Sequence, residues 1–311
     1  MDKIICVAGP TASGKTAFAV ALAKEVNGEV ISCDSMQIYK GMDIGTAKPT
    51  TEEMDGIPHY MLDVADPRDD FSVSRYCELA DPIIQDILSR GKTPIIAGGT
   101  GLYMDALMRG NSFAACPSTG MRERLESQAD QDGMQAMLDL LKSIDPEAAS
   151  RLHLADRKRI LRALEVYYET GRTITAHNKM TQQIPPRYQP LWFGLNDADR
   201  NALYKRIDNR VLDMLDAGLI DEIHALLDQG ISEKCTAMQA IGYKECLAAL
   251  AGRCTMQEAV SSVQQSSRHY AKRQLTWFRR NQQVHWLIRQ EGEKTAEIIN
   301  KARPFLGEFD N

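Results

Sequence analysis

No stretch of this sequence approaches the roughly 18 consecutive apolar residues that a membrane-spanning helix needs, so nothing in it reads as a span. The apolar run in MDKIICVAGP is too short for a secretory leader, which leaves the cytoplasm as the expected compartment. Paired cysteines are missing too. The seven cysteines (Cys6, Cys33, Cys77, Cys116, Cys235, Cys246 and Cys254) are odd in number, scattered and never spaced C-x-x-C. That pattern argues against a disulfide framework or a zinc site and fits free thiols in a reducing compartment. There is no internal repeat and no low-complexity tract. Nor is there an excess of basic residues: 37 Lys and Arg stand against 42 Asp and Glu, a net charge of −5, so any site for a polyanion must be local. Aromatic residues are only 6% of the chain, which makes any cluster of them informative.

What is present is ordinary globular stock, 43% hydrophobic and 25% charged over 311 residues, enough for one large domain or two. KIICVA (3–8) is short, apolar and rich in β-branched residues, the pattern of a buried parallel strand. A helix over TAFAVALAKEVN and a second strand at GEVISCD follow. SMQIYKGMDIGTAKPT reads as loop, HYMLDV as a further short strand, and SVSRYCELADPIIQDILSRG as a helix kinked near Pro82, capped by Ser72 and stopped at Gly91. TPIIAGGTGLYMDALM is strand, glycine turn and helix. Strands alternating with helices predict an α/β fold, a P-loop NTPase-like core with a mostly parallel sheet. From 117 to 189 the strand signals stop, and a helical insertion is expected between core segments 1–116 and 190–311. Within it Ile160, Leu161, Leu164 and Tyr168 are predicted to share one face. The core resumes with a strand at PLWFGLN, three helical stretches, a last strand at VHWLI and a terminal helix.

Gly9-x-x-x-x-Gly14-Lys15-Thr16 matches the phosphate-binding loop pattern, flanked correctly by strand and helix. Gly9, Thr11, Ala12, Ser13 and Gly14 bring backbone N–H groups around phosphate oxygens, Lys15 adds a charge, and Thr16 offers a hydroxyl to Mg²⁺. Most such loops hold ATP or GTP. Here, however, the third strand ends in Gly98, Gly99 and Thr100, where a nucleotide-hydrolysing protein often shows an acid for its metal. Glycines there are expected to let a ligand approach closely. Asp34 follows the second strand at the same edge as the loop, and is either a turn cap or a group facing the phosphates. Arg206 and Arg210, one helical turn apart, are placed to meet an anion together or to pair with acids such as Asp213. Arg157, Lys158, Arg159 and Arg162 form a basic helix face. From Arg268 to Arg289 there is no acid at all, while Lys272, Arg273, Arg279 and Arg280 alternate with Tyr270, Trp277, Phe278 and Trp286. In an acidic chain that block points to a polyanion partner with unpaired bases, set against a plain helix with aromatics in the core.

Taken together, GPTASGKT, DSMQIYKGMDIGTAKP, GGTGLY, RILRALEVY, AIGYKE and YAKRQLTWFRR resemble, in order, the tRNA dimethylallyltransferases, also called tRNA isopentenyltransferases. The absence of the zinc finger that some eukaryotic relatives carry resembles the bacterial form. The resemblance implies that a dimethylallyl group passes from dimethylallyl diphosphate to N6 of adenosine 37 in the anticodon stem-loop of tRNA, releasing pyrophosphate, with Mg²⁺ as cofactor. It implies Asp34 as the base at N6, Thr100 at the reaction centre, and Arg210 on the diphosphate opposite the loop. It implies tRNA contacts at Asp34, Ser35, Met36 and Gln37, at Arg122, at Lys158, Arg159, Ile160, Leu161 and Arg162, and at Gln239, Ala240, Ile241, Gly242, Tyr243 and Lys244. The target base is expected to flip out of its stack and the insertion to close over the loop. The enzyme is expected to be a monomer. A small-molecule kinase would need neither the insertion nor the basic tail; an RNA-binding module without catalysis would not need Asp34.

Overall fold

The structure, a computed structural model, describes residues 2–110 and 119–310. The elements run β1 (Asp2–Ala8), α1 (Lys15–Glu25), β2 (Gly28–Cys33), α2 (Thr51–Met54), β3 (His59–Tyr60), α3 (Val73–Ser89), β4 (Thr93–Gly98) and α4 (Gly101–Arg109). Then come α5 (Met121–Ile144), α6 (Pro146–Ala149), α7 (Arg157–Thr170), α8 (Ile174–Gln182), β5 (Tyr188–Asp197), α9 (Arg200–Asp216) and α10 (Leu219–Asp228). A 3₁₀ turn at Ala237–Gln239 leads to α11 (Tyr243–Leu250), α12 (Met256–Phe278), β6 (Val284–Arg289) and α13 (Thr295–Asp310). Six strands form one sheet in the order β3-β2-β4-β1-β5-β6, and every described pair is parallel. Parallel strands buried on both faces need no polar alternation, and β2 is buried along its whole length.

Contacts divide the chain into a unit of residues 1–108 with 187–311 and a unit of residues 109–186. The expected boundary at 116/117, with Cys116, lies outside the described residues. In the larger unit α1 packs Phe18, Ala19, Leu22 and Ala23 against Ile5, Val7, Ile95 and Phe193. The opposite layer holds α3, whose buried stripe is Tyr76, Ala80, Ile84 and Ile87. Ser72 caps that helix as expected, accepting from Arg75 N–H. In the smaller unit α5 and α7 close a core of Leu125, Met137, Leu141, Ile160, Leu161 and Leu164. Tyr168 does not join it and is exposed, so the predicted stripe on α7 ends one turn early. The HYMLDV strand shrinks to His59–Tyr60, and two elements escape the pattern altogether, the short α2 and α11.

Glu29, inside β2, is a charged residue buried in the sheet, its side chain 2% exposed. Arg90 grips both its oxygens at 2.6 Å, Lys92 takes one at 2.6 Å, and Tyr60 Oη donates to it at 2.8 Å. The Arg90 hydrogen bonds lead in holding its carboxyl down at about 2. A depressed carboxyl adds stability that is present above its unfolded value and is lost as pH falls through the folded one. Glu29→Ala is therefore expected to cost about 2 to 3 kcal/mol at neutral pH, allowing for the hydration left to Arg90 and Lys92. Urea unfolding should show the gap closing as pH falls from about 4.5 toward about 2.

Candidate active site at the strand ends

The carboxyl ends of β2, β4 and β1 lie side by side, because Gly98 of β4 pairs with both Cys33 and Ala8. The three segments released there are the phosphate loop, the chain from Asp34, and the turn at Gly99 and Thr100. This is the edge at which an open parallel sheet collects ligands.

The loop turns into α1 through Gly14 at φ 83°, a left-handed backbone that suits glycine. A Cβ there would also press on the Arg289 guanidinium, 2.7 Å from Nη2. Lys15 folds back and donates from Nζ to Pro10 O at 2.7 Å. Ser13 Oγ is buried with no hydrogen-bond partner among the described residues, whereas buried hydroxyls are ordinarily paired. Together with the α1 N-terminus it makes a cradle that an oxyanion satisfies. Two side chains hold the loop from outside. Arg206 donates from Nε to Ala12 O at 3.1 Å, and Gln274 Oε1 accepts from Thr11 N–H at 2.8 Å.

Asp34 stands where it acts electrostatically on both Lys15 and Arg210. Its Oδ1 accepts from Met36 N–H at 2.9 Å, an Asx turn that aims the carboxylate. Thr100 lies beside it: its Oγ1 accepts from Ser35 N–H at 3.0 Å, and its own N–H reaches Cys33 O at 3.2 Å. Burial pulls Lys15 down to about 8, against the attraction of Asp34 and with the repulsion of Arg210. Burial likewise lowers Arg210, again opposed by Asp34. The charge on Lys15 is complete only below about 8, so affinity for a diphosphate monoester is expected to hold near neutral pH and to weaken above about 8. Calorimetric titration across that range checks this, and an affinity independent of pH would count against Lys15 as a phosphate ligand.

Arg206 and Arg210 do not act together. Arg206 is spent on Ala12 O and on Asp197, 2.5 Å away, while Arg210 is buried toward Asp34 and Lys15. Nor do the glycines after β4 make room for a ligand. A Cβ at Gly98 would overlap the Cys33 carbonyl, at Gly99 the Gln274 amide, and at Gly101 the Trp277 ring, so the space belongs to the chain itself. Thr16, expected from the sequence to offer its hydroxyl to a metal, stands in the first turn of α1. Among the described residues no group of three or more His, Cys, Asp or Glu could hold one. That donor set fits Mg²⁺, which keeps waters and takes substrate phosphate oxygens, and does not make an all-protein cage.

The remaining residues expected to touch RNA divide by exposure. Ser35 and Met36 are half-buried beside Asp34. Gln37 is committed internally, accepting from Ser32 Oγ at 2.9 Å and donating to Ala47 O at 3.0 Å. In the smaller unit Arg122, Lys158, Arg159 and Arg162 are exposed, with Glu165 between Arg162 at 2.8 Å and Arg122 at 3.9 Å. Ile160 and Leu161 correct the expectation: both side chains are buried in the α5–α7 core and present nothing to a nucleic acid. Tyr243 is likewise fully buried and Ala240 nearly so, because the turn before α11 packs under the loop that follows Asp34. Gln239 and Lys244 are exposed, Ile241 is half-buried, and Gly242 takes φ 100°.

Three residues that shape the site were not assigned to it from the sequence. Glu222 accepts from the N–H groups of Asp43 and Ile44 at 2.7 Å, from Gly45 N–H at 3.1 Å and from Tyr243 Oη at 2.5 Å. One carboxylate thus ties down the loop after Asp34. Tyr270 and Gln274 come from the basic stretch, whose aromatics turn inward. Phe278 is buried, Trp277 Nε1 donates to Asp105 at 2.9 Å, and Trp286 packs on the core. Its cations turn outward: Lys272, Arg273, Arg279 and Arg280 are exposed, and no carboxylate pairs with them among the described residues. The signal was present in part, as a lone glutamine on the apolar stripe of a helix.

Residues 37–281 match the family model described as IPP transferase, and residues 2–68 match that of isopentenyl transferase. A tRNA dimethylallyltransferase of Acetivibrio thermocellus is 44% identical over 310 residues, 99% of each chain. A crystal structure of the full-length tRNA isopentenylpyrophosphate transferase of Bacillus halodurans is 42% identical, with a TM-score of 0.75 over 100% of this chain and 97% of that one. A eukaryotic dimethylallyltransferase, solved in crystallographic snapshots of its action on tRNA, is 29% identical with a TM-score of 0.84, covering 99% of this chain and 80% of that one.

Proposed function

This chain belongs to the tRNA dimethylallyltransferase family, and from that premise we propose the reaction in full: a dimethylallyl group passes from dimethylallyl diphosphate to N6 of adenosine 37 in tRNA, releasing pyrophosphate. It is a prenyl-transferring enzyme that acts on tRNA. The observation that carries the finer reading is that Asp34, at the strand-end edge, lies within electrostatic reach of both Lys15 and Arg210.

The loop amides, Ser13 and Lys15 receive the diphosphate from one side and Arg210 from the other. As the C1–O bond breaks, its electron pair stays with pyrophosphate, and these preorganised donors stabilise the charge that develops there. Thr16 would hold Mg²⁺, which would supply electrostatic shielding of the leaving group when bound. Thr100 Oγ1 accepts from Ser35 N–H at 3.0 Å and donates to Ser35 Oγ across a long 3.4 Å, a bond that a diphosphate oxygen can take over. The lone pair of N6 is delocalised into the adenine ring, so the amine attacks weakly. Asp34 takes the N6 proton as the N–C bond forms, which keeps positive charge from building on nitrogen. A base paired or stacked in RNA must leave its stack to reach Asp34.

The exposed cations on α12 and on α7 support a tRNA partner. If about six of them meet phosphates, affinity is expected to fall on the order of a thousandfold between about 50 and 200 mM salt. A flat response in filter binding would count against that surface. No helix among the described residues is long and apolar enough to cross a membrane. We place the enzyme with its tRNA in the cytoplasm, as a monomer. The deciding experiment incubates the protein with labelled dimethylallyl diphosphate, Mg²⁺ and unmodified tRNA; label at N6 of adenosine 37 is expected, and label elsewhere overturns the assignment.

A further inference from the structure

Gln274 is 4% exposed, and its amide is used at both ends. Oε1 accepts from Thr11 N–H at 2.8 Å, and Nε2 donates to Gly99 O at 3.1 Å. The first bond reaches the phosphate loop after β1, the second the turn after β4 that carries Thr100. One helical turn earlier Tyr270 extends the same stripe, with its phenol near the Thr100 side chain and Gln274 itself. Ala271 packs with Leu203 and Ile207 beside Ala12, and Trp277 lies under Gly101. One face of α12 is thus a wall of the site, and Gln274 is its polar member. The Thr11 amide hydrogen that it engages is thereby withdrawn from phosphate binding, a correction to its expected place among the phosphate-facing amides, so Gln274 contributes through the shape of the loop and not as a ligand.

We propose that Gln274 is a positioning residue for the transfer: its buried amide holds the phosphate loop and the Gly99–Thr100 turn at a fixed separation, and so sets the distance between the diphosphate and the acceptor base. This rests on the reaction proposed above. Neither end can be replaced by water, because Gly99 lies against the amide without a Cβ and the residue is sealed from solvent. An amide that donates to one loop and accepts from the other transmits a shift of either to its partner. A tenfold or greater rate loss is the ordinary result when reacting groups are misplaced by about an ångström.

The test uses the full chain with two readouts. Gln274→Met keeps the length of the side chain and removes both bonds. The expected results are a dissociation constant for inorganic pyrophosphate raised about tenfold, and a single-turnover transfer rate, at saturating donor and tRNA, lowered about tenfold or more. A loss confined to the reaction amplitude, with the rate constant and the pyrophosphate affinity unchanged, would mean that Gln274 serves only folding and would overturn the proposal. Gly99→Ala supplies the second arm, since its methyl displaces the Gln274 amide. In a Gln274→Ala background that methyl should cost nothing further, so the double variant should match Gln274→Ala alone; additive losses would overturn the coupling. Transfer by the unaltered chain tests the reaction itself. The pyrophosphate ratio between variant and unaltered chain tests the brace even where transfer fails.

Discussion

Asp34→Ala is expected to lower turnover on the order of 10²- to 10⁴-fold while leaving tRNA affinity within about twofold, the range typical of a lost general base. The side chain makes one bond to its own segment, to Met36 N–H, so removing it leaves the strand end intact. The basic surfaces that meet phosphates lie on other elements, which is why binding is spared. Asp34→Asn sharpens the test: it keeps the Asx turn through its amide oxygen and removes only the ability to take a proton. If Asp34 works by geometry alone, the Asn variant will retain most of the rate. Full activity in either variant, measured under single turnover, would remove Asp34 from the chemistry. Loss of tRNA binding would move it into recognition.

Lys15→Ala is the complementary case. It removes the one cation that the loop itself offers to a diphosphate, from a half-buried position where desolvation already pulls Lys15 down to about 8. By analogy with the removal of a preorganised oxyanion donor, kcat/KM for dimethylallyl diphosphate should fall on the order of 10²- to 10³-fold. Affinity for tRNA should stay unchanged. Lys15 also donates to Pro10 O, so some of the loss will come from a loosened loop. Lys15→Arg separates the two effects: it keeps the charge and alters the reach, and a variant that binds pyrophosphate yet transfers slowly would assign the larger share to placement. A drop in tRNA affinity with donor use intact would contradict the phosphate assignment.

Much of this architecture is readable because its signals are local. All six strands fall within stretches read as strands or begin close to them, although β3 keeps only two residues of HYMLDV, and the loop pattern from Gly9 to Thr16 sits between β1 and α1. Asp34 and Thr100 come to the same edge because strand ends in a parallel sheet share a side. What escaped was set by distant partners. Gln274 meets Thr11 across 263 residues, and Glu222 meets Asp43 across 179, so neither contact leaves a trace in spacing. The same limit explains Gly98 and Gly99, whose lack of side chains reflects the Cys33 carbonyl and the Gln274 amide. It explains the basic stretch as well: composition alone did not tell which side of α12 the aromatics face. The resemblance put Ile160 and Leu161 among the RNA contacts, whereas the helical repeat, which already set them on one apolar face, sends their side chains to the core.

The reach of α12 back to Thr11 also has a consequence in time. A chain is made from its N-terminus at about 5 to 20 residues per second. The phosphate loop is therefore complete on the order of 10 to 50 s before Gln274 is joined to the chain. During that interval Ser13, Lys15, Asp34 and Thr100 all exist, but the helix that walls them does not. Competence arrives with the last fifth of synthesis, and a product cut short before α12 would carry every motif residue of the loop and lack the side chain that braces it.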